Sequence, residues 1–450
     1  MQNEQKQSDK LGNQSVSRLV INFFLPSLTG LMSYALYNIT DRYFLGIWTG
    51  EKGLSAVTVV FPLMLIIYGI IFLSAGGSST LISIYLGEGE RRKAEHTFAN
   101  SMTLALILGL SVTFGGLYFA EDILKLVGVS DDVMSATLQY MQIILIGITP
   151  MAVGFSMDFT IRSEGFPVYC VLIMAVSSVI NIILDPIFIK VLDMGVKGAA
   201  IATIISQAST VFMGGYHYIW GKTELTIRAK DFIPDLKLFG KIMAIGLPLS
   251  IMEASFGLQS STVVNQIFTY GGASAVAAMG VIIAVETFAT LPVFALADGL
   301  QPIIGYNFGA RKFDRVRETM AKAAVMLTIW SVFVIAGVYL FADFFAKMFL
   351  PGNQEAIDIT VRGLKIYMIG FPAFSFTMLT IRYFQSVGSS KLANAMVLMK
   401  TFLIYIPILI LLGKMLGLDG VWIAEPLGGS LTAVIVLIFL FFEVKHLKRV

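Results

Sequence analysis

The sequence predicts an all-α integral membrane protein. Twelve transmembrane helices form two six-helix lobes that repeat in parallel, with a pseudo-twofold axis along the membrane normal. Three observations carry this expectation. Of 450 residues, 56% are hydrophobic and 14% charged, with mean hydropathy +0.79, whereas soluble domains carry roughly 25% charge. Apolar runs long enough to cross about 30 Å of hydrocarbon recur along the whole chain. The two halves also match each other at one constant offset, the one that carries Pro26 onto Pro248.

The apolar runs fall near 17–47, 54–85, 95–120, 134–160, 167–191, 196–220, 239–268, 276–304, 318–348, 359–386, 393–413 and 420–444. They are continuous and lack period-2 alternation, which selects helices over a membrane barrel. Several exceed a minimal span, so tilt or extension beyond the hydrocarbon is expected. They divide the chain into an N-terminal tail (1–16), an N-lobe (17–220), a polar linker with Pro234 (221–238), a C-lobe (239–444) and a C-terminal tail (445–450).

The internal match is an ordered series. Leu25-Pro26 recurs as Leu247-Pro248, Gly77 and Gly87 as Gly299 and Gly309, and Gly195 and Gly198 as Gly417 and Gly420. The plainer alternative is that glycine and proline simply recur at helix ends and packing faces. One offset shared by the whole series, together with a matching charge pattern, argues for a true repeat. Six spans per half let both halves enter from the same side, so the repeat is parallel. Gly76-Gly77 and Gly428-Gly429, inside spans, read as sites of close helix approach.

Basic residues set the orientation. Lys6, Lys10 and Arg18 precede the first span, and Arg91, Arg92 and Lys93 follow the second. Lys222, Arg228, Lys230 and Lys237 follow the sixth, and Arg311, Lys312, Arg315 and Arg317 follow the eighth. Lys445, Lys448 and Arg449 end the chain. The intervening connections are poor in Lys and Arg, so the positive-inside rule places both termini in the cytoplasm. The expectation is a multi-pass protein of a bacterial cell membrane, acting as a monomer in a lipid bilayer with no nucleic-acid partner. Met1 to Ser15 lacks a secretory apolar core. Cys170 is the only cysteine, which rules out an intramolecular disulfide. His96, His217 and His446 lie at span ends or tails, and no His/Cys cluster suggests a structural metal.

The chemistry lies in the carboxylates that the spans retain, because a charge in hydrocarbon costs a few kcal/mol or more and is rarely kept without a use. Tyr34, Tyr37, Asn38 and Asp41 are three to four residues apart and share one face of the first helix. Pro26, about four turns earlier, is the expected hinge of that helix. Asn181 and Asp185 are i,i+4 on the fifth span, with Pro186 following. Thr203 lies early in the sixth. Carboxylate, amide and hydroxyl oxygens from three helices make a candidate hard-cation cage or, equally, a proton site. The alternative places Asp41 at the solvated outer end of its helix, beside Arg42, and has Asp185 cap or anchor the outer end of the fifth span. In the second half the offset replaces Asp41 by Val263 and Thr203 by Glu425. Glu286 and Glu253 are candidate cavity residues. Glu286 has a structural alternative, pairing with Lys400, which reads as the one basic residue well inside the spans. Asp298, near the end of the eighth span, reads as an anchor or a gate contact.

The segments YNITDRYFLG (Tyr37 to Gly46), NIILDPIF (Asn181 to Phe188) and GLQPIIGYNFGA (Gly299 to Ala310) resemble the multidrug and toxic compound extrusion (MATE) family, in its MepA-like, DinF-related bacterial branch. The resemblance covers essentially the whole chain. It implies a cation-coupled antiporter that exports cationic amphiphilic drugs by alternating access, with H⁺ or Na⁺ as coupling ion and no other cofactor. It also implies that Asp41, Asn181, Asp185 and Thr203 form the N-lobe cation site. The seventh-helix acid of NorM-type members does not align with Glu253. A lipid-linked oligosaccharide flippase of the same superfamily is the alternative; it calls for several basic cavity residues, of which only Lys400 is a candidate. A membrane enzyme would need a compact catalytic set that the scattered acids do not supply. No GxxxxGK[ST] loop for ATP is present.

Overall fold

A computed structural model describes residues 7–129 and 131–447. Lys6, Lys448 and Arg449 of the predicted basic flanks lie outside the described residues. The described residues are almost all helical. In order, the α-helices are α1 (Gln7–Asn13), α2 (Val16–Gly87), α3 (Arg91–Val127), α4 (Asp131–Ser163), α5 (Pro167–Pro186), α6 (Val196–Trp220) and α7 (Leu236–Gly309). They continue as α8 (Phe313–Phe349), α9 (Gln354–Tyr367), α10 (Phe371–Ser386), α11 (Ser390–Leu398), α12 (Ile406–Leu416) and α13 (Leu418–Leu447).

Two of these helices are far too long for one crossing. The 74 residues of α7 would run about 110 Å if straight, against roughly 30 Å of hydrocarbon. The break comes at Gly272, with φ 64° and ψ −160°. In α2 it comes at Gly50, with φ 67° and ψ −159°. The internal offset carries Gly50 onto Gly272, so both halves break at one equivalent position, in a conformation that disfavours any side chain. Eleven helices among the described residues are long and apolar enough to cross a membrane, with α2 counted as two and α7 as one. Splitting α7 at Gly272 gives twelve crossings. The tenth crossing is interrupted by a 3₁₀ turn, Met368–Gly370, before Pro372. The eleventh contains a π-helical stretch, Met399–Tyr405, and a second π stretch, Ile187–Val191, follows α5. The large apolar residues on the outside, Phe212, Leu340 and Phe441 among them, suit a surface solvated by lipid.

The chain forms two compact units. The first holds α1, Leu25–Glu253 and Gly305–Arg311. In its interior α4 packs against α3 and α6, around Leu124, Leu145, Ile148, Ala199 and Ala200. A Cβ at Gly87 would fall 2.0 Å from the Tyr306 carbonyl oxygen, and one at Gly309 would fall 2.1 Å from that of Ile84. The same offset carries Ile84 onto Tyr306 and Gly87 onto Gly309, so one contact is the other with the repeats exchanged. That is what a pseudo-twofold axis between parallel repeats produces. The second unit holds Ser15–Phe24, Ala254–Ile304 and the chain from Lys312 onward. There α13 packs against α10 and α12, with Trp422 fully buried.

The link after α6 is pinned to the first unit. Asp231, in the 3₁₀ turn Ala229–Phe232, takes a two-pronged ion pair from Arg92, which holds its carboxyl below the usual carboxylate range. Asn100 donates to the Asp231 carbonyl and accepts from the Asp235 N–H. Glu164, in the turn between α4 and α5, accepts from the Thr223 hydroxyl at 2.6 Å and the Glu224 N–H at 2.9 Å. Burial nonetheless pushes the Glu164 carboxyl up to about 7. A raised carboxyl favours folding while it keeps its proton, so its contribution is complete below about pH 4, the unfolded value, and is lost as pH rises through 7. A shift of that size is worth at most about 3 kcal/mol. The melting temperature of the purified protein is therefore expected to fall between pH 5 and pH 8, and Glu164→Gln to flatten the fall. A slope unchanged in the variant removes Glu164 as its source.

Candidate functional site

The candidate site lies wholly within the first unit. Asp41 comes from the first crossing, Asn181 and Asp185 from α5 and Thr203 from α6. The first-crossing face expected from the sequence forms as an unbroken helix. The Asn38 side chain donates to the Tyr34 carbonyl at 2.8 Å, and the Tyr34 and Tyr37 rings meet edge to face at 5.5 Å. Asp41 is 7% exposed, while Asn181 and Asp185 are fully buried. The solvated-end alternative for Asp41 therefore does not describe it. Arg42 lies over the Phe61 ring, 5.1 Å from its centroid.

Asn181 Nδ2 donates to Asp185 Oδ1 at 3.4 Å, along the i,i+4 face of α5. The carboxyl groups of Asp41 and Asp185 lie close enough to interact, as do the Tyr37 and Thr203 hydroxyls. Three buried oxygens at this place have no partner among the described residues: Asp41 Oδ1, Asn181 Oδ1 and Asp185 Oδ2. Buried acceptors are normally satisfied, and each that is not costs about 1–3 kcal/mol. Two carboxylates and an amide oxygen suit a hard monovalent cation or a proton as the missing partner.

A partly open pocket leads to Asp41 and Thr203. Tyr37, Asn38, Tyr68, Tyr140 and Gln207 line it, along with Met64 and Met151. The space open to water within it is about 60 Å³. That admits a few waters, at roughly 10–15 Å³ each, and therefore a partly hydrated ion. It is well below the roughly 300 Å³ at which drug-sized pockets begin. Tyr68, Tyr140 and Gln207 did not stand out in the sequence, although Gln207 follows Thr203 by four residues on the same face of α6. Tyr34 reaches the Tyr68 hydroxyl at 3.5 Å.

Pro26 stays inside a helical backbone, and the first crossing passes from the second unit to the first between Phe24 and Leu25, one residue earlier. Glu253 is half-buried in the first stretch of α7, outside the pocket lining.

The second unit gathers its own buried charges. The Tyr367 hydroxyl donates to both oxygens of Glu286, at 3.3 and 3.2 Å. Glu425 hydrogen-bonds Tyr405. The Lys400 ammonium sits on the Phe374 ring, 4.8 Å from its centroid. Of the two alternatives for Glu286, the one with Lys400 is realised only as two charges close enough to interact, the carboxyl being bonded to a tyrosine and the ammonium seated on a ring face. Arg382 is buried in α10 and pairs with Asp298 at 2.5 Å. Asp298 is accordingly the partner of an internal arginine.

The MatE family model matches residues 26–187 and 248–411, two segments whose starts are related by the internal offset. The chain is 26% identical to the multidrug export protein MepA of Staphylococcus aureus (strain MSSA476) over 428 residues, covering 95% of this chain and 94% of that protein. It is 27% identical to MepA of Staphylococcus saprophyticus over 411 residues, 90% and 89% of the two chains. Among solved structures, an outward-facing multidrug resistance MATE transporter superposes with a TM-score of 0.92 at 24% identity, covering 98% of each chain. A superfamily transporter from Pyrococcus furiosus, described as having a binding pocket of reversed polarity, gives 0.91 at 23% identity, again over 98% of each.

Proposed function

Because this chain belongs to the MatE family of membrane transporters, we propose that it exports cationic amphiphilic organic compounds in exchange for H⁺ or Na⁺ by alternating access. The family is one of transporters, not enzymes. The observation that carries the proposal is the trio of unpartnered buried oxygens on Asp41, Asn181 and Asp185 beside a water-sized pocket. The MepA relatives, named as multidrug exporters, support drugs as cargo.

In this reading H⁺ or Na⁺ enters through the pocket and satisfies the orphaned oxygens. Thr203 and Tyr37 orient their hydroxyls toward it. Neutralising the carboxylate pair removes the charge that the first crossing presents to its neighbours, and the helix repacks about Pro26. One charge moving through about 100 mV supplies roughly 2.3 kcal/mol, on the order of a fifty-fold concentration ratio. The orientation that fits has α1, the linker and the end of α7 on the cytoplasmic side, where Arg91, Arg92, Lys93 and Arg311 lie. The protein acts as a monomer.

The test is efflux of a fluorescent organic cation from proteoliposomes with imposed pH or Na⁺ gradients. Efflux should be accelerated by one of the two. Efflux that ignores both removes the coupling.

A further inference from the structure

The end of the first unit that carries α1 holds contacts that the export reading does not use. α1 bridges two partners far away in sequence. The Ser8 N–H and hydroxyl donate to the two carboxylate oxygens of Glu224, at 2.8 and 2.6 Å. On its other side, the Tyr306 hydroxyl donates to Asp9 Oδ1 at 3.4 Å, and Asn307 Nδ2 donates to the Leu11 carbonyl at 2.9 Å. Leu11 itself is buried. Glu224 is fixed in turn, since its N–H is bonded to Glu164. α1 thus joins the link after α6 to the last turns of α7.

Those last turns have an unusual allegiance. Gly305–Arg311 packs in the first unit, whereas Ala254–Ile304 of the same helix belongs to the second. They meet α2 through Gly87 and Gly309, where no side chain fits. The chain then leaves the first unit directly after α1, because Ser15–Phe24 belongs to the second. A helix of seven residues is too short to persist in water without docking. Releasing α1 therefore also unfolds it, which makes it an order–disorder element.

We propose that α1 is a clasp holding this end of the transporter shut, and that it lets go of Glu224 or of Tyr306 and Asn307 in each transport cycle. This rests on the alternating-access reading, in which the end of α7 parts from α2 to open this side. At Gly87 and Gly309 the α2–α7 crossing is backbone against backbone. The clasp adds hydrogen bonds on both sides of α1, three of them to carboxylates, so it sets how readily this end opens.

The lone cysteine makes a clean test. In a Cys170→Ser background, Asp9→Cys and Tyr306→Cys are joined by a reducible bis-thiosulfonate cross-linker in proteoliposomes. The cross-linked protein is expected to lose at least ten-fold in efflux rate and to regain it on reduction. Cross-linked protein that exports as fast as the reduced form overturns the proposal. A second variant, Ser8→Cys in the same background, needs no cross-link. Maleimide labelling of this buried position is expected to run at least five-fold faster under an imposed ion gradient with cargo than at rest. Equal labelling rates overturn the clasp as well. The Cys170→Ser parent separates the two readings: if it exports nothing under either gradient, the export reading fails. The labelling arm still reports whether α1 lets go.

Discussion

Asp41→Asn and Asp185→Asn are each expected to lower gradient-driven efflux at least ten-fold while leaving the protein folded. The amide keeps the size and most of the hydrogen bonding of the carboxyl, so packing around α5 and the first crossing is preserved. It cannot take up the coupling proton, and it holds a metal cation more weakly. Asp41 Oδ1 and Asp185 Oδ2 are unpartnered in the buried site, so removing either charge also relieves an uncompensated desolvation. Each variant should therefore melt at or above the wild-type temperature while exporting poorly, a trade of activity for stability found at strained functional sites. Proteoliposome efflux and detergent melting curves measure the two sides. Wild-type export by both variants would show that the coupling site lies elsewhere.

Breaking the buried ion pair of the second unit should have the largest effect on stability. Arg382 and Asp298 lie 2.5 Å apart, with side chains 10% and 17% exposed. Arg382→Met leaves Asp298 buried and alone, which typically costs about 3–5 kcal/mol. Replacing both (Arg382→Met with Asp298→Leu) removes the charge together with its partner, and typically recovers most of that loss. The comparison is made by melting the purified proteins side by side. A double variant as unstable as Arg382→Met alone would mean that the arginine acts through its stem packing and its bond to Gln385, with the aspartate incidental.

Membership of the MatE family and the twelve-crossing fold were legible in the sequence, and the reason is physical. A bilayer forces every backbone polar group to be satisfied within its own segment. Apolar length alone therefore predicts helices, and the constant offset between the halves predicts their pairing. Of the glycines matched at that offset, Gly87 and Gly309 mark where two helix backbones touch, at Tyr306 and Ile84, whereas Gly195 and Gly417 hold positive-φ turns. A missing side chain is a signal that the sequence carries directly. The breaks at Gly50 and Gly272 obey the same offset and fall in the gaps between apolar runs, 47–54 and 268–276.

Partnership between side chains from different helices was not legible. Periodicity showed that Asn181 and Asp185 share a face, since both lie on one helix. It could not show that Asp41 reaches Asp185, that Thr203 meets Tyr37, or that Tyr68 and Tyr140 close the pocket. The same blindness missed Tyr367 beside Glu286 and Arg382 beside Asp298. By itself the sequence determined which segments cross the membrane, that they repeat, and which of them carry charge, because each of these depends on one helix and its solvent. The tertiary structure alone decided which charges are paired and which oxygens stay unpaired, because an ion pair depends on a distance of a few ångströms between helices that no spacing along the chain encodes.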